Sequence, residues 1–143
     1  MTEPDTVPPI RLAVVEDNPA DVYILCKALQ QIGLRFTVDH LQDGEVALDF
    51  FLQQGNYAAA QRPDVIILDL NLPRINGDEV LRRVRLHPDL RDLPVIVLST
   101  SDTAEDLQKL TALGVAYHFV KSGDLSTYLA VGRAIQEMQE SSQ

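Results

Sequence analysis

Four polar residues or pairs in this sequence stand directly behind short apolar runs. Glu16-Asp17 follows Ile10–Val15, and Asp69 follows Val65–Leu68. Ser99-Thr100 follows Val95–Leu98, and Lys121 follows Val115–Val120. If each run is a strand, these residues share one rim of a sheet. They then bring together three carboxylates, a hydroxyl pair and one ammonium. Carboxylates at close range cannot all ionise comfortably, so either one proton stays on or cations compensate. Oxygen-rich surroundings without sulfur suit Mg²⁺, which takes one or two carboxylates and keeps several waters. Lys121 offers a second positive charge. A strand-end carboxylate beside Mg²⁺ and a lysine is equipped to attack a phosphoryl group and stabilise its oxygens. Each residue alone has a plainer explanation. A strand-end acid often caps the next helix, as Asp17 or Asn18 could, and a strand-end lysine is usually a solvated charge. Polar residues at four strand ends together weigh against coincidence.

The elements that must position these groups alternate along the chain. After the first strand, Asn18-Pro19-Ala20-Asp21 supplies a cap, a proline at the first helical position and an acid in the first turn. Val22, Leu25, Cys26, Leu29 and Ile32 then recur at helical spacing, and Gly33 stops the helix. Phe36–Leu41 reads as a second strand, and Val46, Ala47, Phe50 and Phe51 mark a second helix. Val65–Leu68 and Val95–Leu98 are uninterrupted apolar runs, as parallel strands covered on both faces require. Val80, Leu81 and Val84 give a third helix, and Leu107, Leu110 and Leu113 a fourth, closed by Gly114. Val115–Val120 is the fifth strand, and a fifth helix runs from Leu125 to about Gln139. Strict alternation of strand and helix predicts an α/β domain: an open, doubly wound, five-stranded parallel sheet of the flavodoxin-like type. A barrel would need more units. In such sheets ligands bind at the carboxyl ends of the strands, where the polar residues fall.

The chain has 143 residues, a net charge of -9, 45% hydrophobic and 23% charged residues, and a single cysteine. At roughly 100–200 residues per domain this predicts one domain, over 10–138, between a flexible tail (1–9) and a frayed end (139–143). No apolar run approaches the ~20 residues of a membrane span, and Met1–Pro9 lacks a signal-peptide pattern. The lone Cys26 forbids an internal disulfide framework and fits a reducing cytoplasm. Acidity argues against direct nucleic-acid binding. His40 and His87 have no partner spacing for a metal site.

The segments VVEDN at 14–18, LDLNLPRINGDEVL at 68–81, PVIVLSTSD at 94–102 and FVKS at 119–122 resemble one family closely. It is the receiver domain of two-component response regulators. The resemblance implies strand order 2-1-3-4-5, with Asp69 as phosphoacceptor and Glu16 and Asp17 as the Mg²⁺-binding pair. It implies that Asn71 lends the metal its backbone carbonyl, that Ser99 bonds a phosphoryl oxygen, and that Lys121 pairs with the phosphate. DNPADVYIL in the first helix, QQGNYAAAQRPD before the third strand and VLSTSDTAEDL after the fourth are similar to single-domain regulators associated with phytochrome-type kinases. Three positions depart from the family. Ser122 stands where proline is usual, and a non-proline bond there favours trans by roughly 2.5–4 kcal/mol. His118 occupies the usual aromatic switch position, with Tyr117 and Phe119 on the other face by strand alternation. Thr100 replaces a small residue and is expected to crowd the site.

By this resemblance the chain is a phosphorylation-controlled switch rather than a turnover enzyme, phosphorylated by a sensor histidine kinase, a bacteriophytochrome among the candidates. Ser99 would move toward the phosphoryl group and leave space for His118. Output is expected in trans, on an unidentified downstream protein. A homodimer is expected through the face of the fourth helix, fifth strand and fifth helix. In the last helix Leu125, Tyr128, Leu129, Val131, Ile135 and Met138 spread over roughly 180°, whereas a core-facing stripe needs about 100°. Val131 and Met138 are the expected surplus. A Mg²⁺-dependent phosphatase with an Asp nucleophile is the alternative, although Asn71 stands where it would want a general acid. A phosphate sink or a scaffold without output is another. A mononucleotide binder is disfavoured, because Glu16-Asp17 would repel phosphate.

Overall fold

A computed structural model describes residues 8–72, 75–100 and 104–141. Residues 1–7 of the expected tail, Pro73-Arg74, Ser101–Thr103 of the STSD segment and residues 142–143 lie outside the described residues. The chain alternates β1 (Ile10–Val15), α1 (Pro19–Gln31), β2 (Phe36–Leu41), α2 (Gly44–Phe51), β3 (Val65–Asp69), α3 (Gly77–Leu86), β4 (Val95–Ser99), α4 (Ala104–Ala112), β5 (Tyr117–Val120) and α5 (Leu125–Ser141). The strands form one sheet in the order β2-β1-β3-β4-β5, and every pair is parallel.

Side-chain alternation splits the core in two. Leu12, Val14, Ile67, Ile96 and Leu98 pack with Leu25 and Leu29 of α1 and with Tyr128, Val131 and Ile135 of α5. Ala13, Val15, Ile66, Leu68, Val95 and Val97 pack with α2, α3 and Leu110 of α4. Burial on both faces explains why β3 and β4 are apolar without interruption. The register then sets the site. Val15 pairs with Leu68, and Leu68 with Val97. Ser99 pairs with Val120. Glu16, Asp69, Ser99 and Lys121 therefore emerge at the same rim.

Local chemistry fixes the helix starts. Asn18 accepts a hydrogen bond from the Ala20 N–H at 2.9 Å, with Pro19 in the first turn. Asp43 caps α2 through the Val46 N–H at 2.8 Å. Gly33 ends α1 at φ +77°, a conformation that favours glycine.

The structure corrects several sequence expectations. Helix α5 runs to Ser141, two residues past the expected Gln139. Strand β5 begins at Tyr117 rather than Val115. Val131, an expected surface residue, has no exposed area, and Met138 packs against the same core. A helix resting on both β-strands and α1 buries a stripe wider than a helix resting on a sheet alone, and α5 makes both contacts. Cys26 is half-buried, and burial pushes its thiol pKa up. Among the described residues no peptide bond is cis, so Lys121–Ser122 is trans. No helix among the described residues is long and apolar enough to cross a membrane.

Candidate functional site

The carboxyl ends of β1, β3 and β5 converge on one ammonium. Lys121 Nζ donates to Glu16 Oε1 at 2.7 Å, to Asp69 Oδ2 at 3.2 Å and to Asp21 Oδ2 at 3.2 Å. Glu16 and Asp69 are both 3% exposed. Asp17 is exposed beside them, and oxygen atoms of Glu16, Asp17 and Asp69 lie within 4.8 Å of one another. Asp69 is further oriented through Oδ1, which accepts the Asn71 N–H at 2.9 Å. The Asn18 N–H donates to Glu16 Oε2 at 3.2 Å. His40 Nε2 lies 2.7 Å from the Glu16 carbonyl oxygen, so that nitrogen carries the hydrogen and ties β2 to the rim.

The electrostatics follow from burial. Loss of solvent pushes the Glu16 carboxyl up to about 7. The Lys121 hydrogen bond and charge pull it down, and the Asp69 charge pushes it up. Burial alone would lower the Lys121 pKa. Hydrogen bonding to Glu16, the charges of Glu16 and Asp69 and the bond to Asp21 outweigh it and hold the ammonium above the ordinary lysine range. One ammonium among four carboxylates leaves the cluster short of positive charge even with Lys121 in place. Hard oxygen donors with surplus negative charge fit a divalent cation of the Mg²⁺ or Mn²⁺ kind.

Of the residues singled out from sequence, Glu16, Asp17, Asp69 and Lys121 come together directly. Ser99 is buried at the end of β4, and its Oγ lies 2.8 Å from His118 Nε2. The imidazole is thus in hydrogen-bond contact with Ser99 in this structure. Tyr117 and Phe119 stack on the opposite face with ring centroids 6.1 Å apart, as alternation requires. Thr100 is exposed, and its N–H and Oγ1 both donate to Asn71 Oδ1 at 3.1 Å. Rather than crowding the cluster, Thr100 fastens the loop after β3 to the end of β4. Sequence reasoning missed Asp21. Its signal was its place four residues after Asp17, in the first turn of α1, where it was read only as a first-turn acid. Gly77 opens α3 directly against the end of β3. A Cβ there would stand 2.6 Å from the Asp69 carbonyl oxygen and 2.6 Å from Leu70 Cα.

Residues 12–131 match the model of the response regulator receiver domain. The chain is 37% identical over 133 residues to response regulator Rcp1 of Synechocystis sp., spanning 90% of this chain and 88% of that one. It is 31% identical over 133 residues to the probable methanogenesis regulatory protein FilR2 of Methanothrix harundinacea, spanning 92% of this chain and 83% of that one. Its backbone superposes with TM-score 0.83 on the phosphorylated cyanobacterial phytochrome response regulator RcpA, at 37% identity over 94% of this chain and 96% of that one. It superposes with TM-score 0.81 on the Mn²⁺-bound form of Rcp1, at 35% identity over 90% and 92%. This chain belongs to the receiver-domain family of response regulators, and it is homologous to the phytochrome-associated members.

Proposed function

We propose that this chain is a phosphorylation-controlled signalling switch in which Asp69 is the phosphoacceptor. The observation that carries this reading is a buried carboxylate at the end of central strand β3, held 3.2 Å from Lys121 Nζ and clustered with Glu16 and Asp17. The donor is the phosphohistidine of a sensor histidine kinase. An Asp69 oxygen forms a bond to phosphorus, the P–N bond to the donor imidazole breaks, and the imidazole keeps the electron pair. Lys121 pairs with the phosphoryl oxygens, and Ser99 donates a hydrogen bond to one of them. Glu16, Asp17, Asp69 and the Asn71 carbonyl would hold Mg²⁺, which supplies positive charge against the phosphoryl oxygens. The domain later releases phosphate by attack of water on the same phosphorus, so it resets rather than turning over a substrate. The phosphatase alternative lacks its general acid, because Asn71 is an amide engaged by Thr100.

Likeness to Rcp1, RcpA and the bacteriophytochrome response regulator RtBRR supports a phytochrome-type kinase as donor, acting in the cytoplasm. Self-pairing through α4, β5 and α5 is supported by Leu107, Val120 and Leu125, which stay exposed on these three elements. Intact mass after incubation with acetyl phosphate tests the central claim. Wild type gains one phosphoryl group only with Mg²⁺, and Asp69→Asn gains none. Undiminished labelling of Asp69→Asn would place the acceptor elsewhere.

A further inference from the structure

We infer that His118 is a positioning residue for the phosphoryl group: its Nε2, 2.8 Å from Ser99 Oγ, decides whether the Ser99 hydroxyl hydrogen is available to a phosphoryl oxygen. The inference rests on the reading of Asp69 as phosphoacceptor and adds a proton dependence to it.

The argument is hydrogen-bond arithmetic. A serine hydroxyl has one hydrogen to give and lone pairs to receive with. If Nε2 is bare, Ser99 donates to it, and Ser99 turns only lone pairs toward Asp69's neighbourhood. Those lone pairs repel a phosphoryl oxygen. If Nε2 carries a hydrogen, the direction reverses. His118 donates to Oγ, and the hydroxyl hydrogen is released to donate elsewhere. The imidazolium has hydrogen on both nitrogens and allows only the second arrangement. Phenylalanine has no group to make the exchange, and a tyrosine hydroxyl changes no protonation state near neutral pH, so neither couples the exchange to pH.

The surroundings suit this role. Ser99 is 2% exposed and His118 is half-buried, so little water competes for their bond. Strand alternation turns His118 toward the face covered by α4, where Val97, its register partner, packs with Leu110. The described charged groups lining the pocket at Ser99 are Lys109 of α4 and Asp78 of α3, the latter 3.7 Å from Arg82, and Glu105 of α4 is exposed. Beyond the strand ends lie Asp69 and Lys121, already bonded to each other at 3.2 Å. Tyr117 lies on the opposite face, bonded to Glu137 of α5 at 2.9 Å. Among the described residues no salt bridge involves His118.

The test is labelling by acetyl phosphate with Mg²⁺ between about pH 5.5 and pH 8, each rate divided by that of His118→Phe to cancel the donor's own pH dependence. In wild type this ratio should fall by about three- to tenfold as pH rises, the size of one net hydrogen bond. His118→Gln, whose amide keeps one protonation state across this range, should hold the ratio flat. Imidazole ¹⁵N shifts read the state of Nε2 at each pH, and the bare state should coincide with the low ratio. A flat wild-type ratio, or an Nε2 that keeps its hydrogen at pH 8, overturns the inference. A wild-type ratio at or above one at pH 8 also overturns it, because phenylalanine offers Ser99 no acceptor and leaves the hydroxyl hydrogen available. A wild-type chain that takes no label at any pH instead removes the reading of Asp69 beneath it.

Discussion

Lys121 is one cation bonded to three carboxylates, Glu16, Asp21 and Asp69, at 2.7, 3.2 and 3.2 Å. Removing it leaves like charges facing one another and removes a donor from the phosphoryl oxygens. Lys121→Ala should fold, as judged by circular dichroism, and should be labelled by acetyl phosphate about 100-fold more slowly, the usual cost of losing one preorganised donor. A normal rate would make Lys121 a mere solvated charge. Glu16 carries a separate prediction. Its folded carboxyl, pushed up by burial, keeps its proton to about pH 7, whereas its ordinary value is 4.5. Below 4.5 folded and unfolded chains are both protonated, and the contribution to stability is complete. As pH rises toward 7 the unfolded chain releases the proton while the folded chain retains it, so stability is lost through that window. With 1.36 kcal/mol per unit, the loss is roughly 3 kcal/mol. Glu16→Gln mimics the protonated form. In urea melts with EDTA its advantage over wild type should grow by that amount between about pH 4.5 and pH 8. Added Mg²⁺ should shrink the trend. An advantage that stays constant would mean that Glu16 is ionised throughout.

At the scale of elements, two glycines separate backbone constraint from side-chain fit. At Gly77 an added methyl meets the Asp69 carbonyl oxygen and Leu70 Cα, both at 2.6 Å, and backbone at the end of β3 cannot yield without moving Asp69. At Gly132 it meets Ile32 Cδ1 at 2.5 Å and Leu29 Cδ2 at 3.0 Å, the ends of flexible side chains. Alanine also favours the α5 helix by up to about 1 kcal/mol over glycine. Gly77→Ala should therefore cost about 2 kcal/mol or more and slow labelling, while Gly132→Ala should stay within about 1 kcal/mol of wild type. Chemical denaturation of both variants checks the ordering, and a Gly132→Ala loss exceeding that of Gly77→Ala would refute it. These cases also mark what the sequence made legible. Alternation of apolar runs and helical spacing gave every strand and helix in order, because burial on both sheet faces writes itself into composition. The strand-end residues Glu16, Asp69, Ser99 and Lys121 were legible because register carries them to one rim. Asp21 was not, because its role depends on how α1 is aimed relative to β5. Val131 was misread because helical spacing alone does not tell how many neighbours α5 packs against.

On the scale of the whole molecule, the misreading of Val131 changes what a dimer can rest on. Val131 is wholly buried between α5 and the sheet, so Val131→Asp should cost several kcal/mol and unfold the chain rather than split a dimer. The apolar residues free to meet a partner near β5 are Leu107 of α4, Val120 at the end of β5 and Leu125 at the start of α5, exposed by 40%, 41% and 36%. They sit on consecutive elements at the β5 edge, which is a short, unpaired strand edge of the sheet. A two-fold axis beside that edge would set each of these residues against the same patch of the other copy. The net charge of -9 opposes association at long range, so pairing should strengthen with salt, which screens repulsion beyond about 10 Å at 0.1 M. Sedimentation at micromolar concentration should find a dimer whose fraction rises with salt and with phosphorylation. The double variant Leu107→Glu with Val120→Asp should be a folded monomer, since both residues are already solvent-exposed. A wild-type chain that stays monomeric in both phosphorylation states, or a double variant that dimerises as well as wild type, would show that this edge is not the pairing surface.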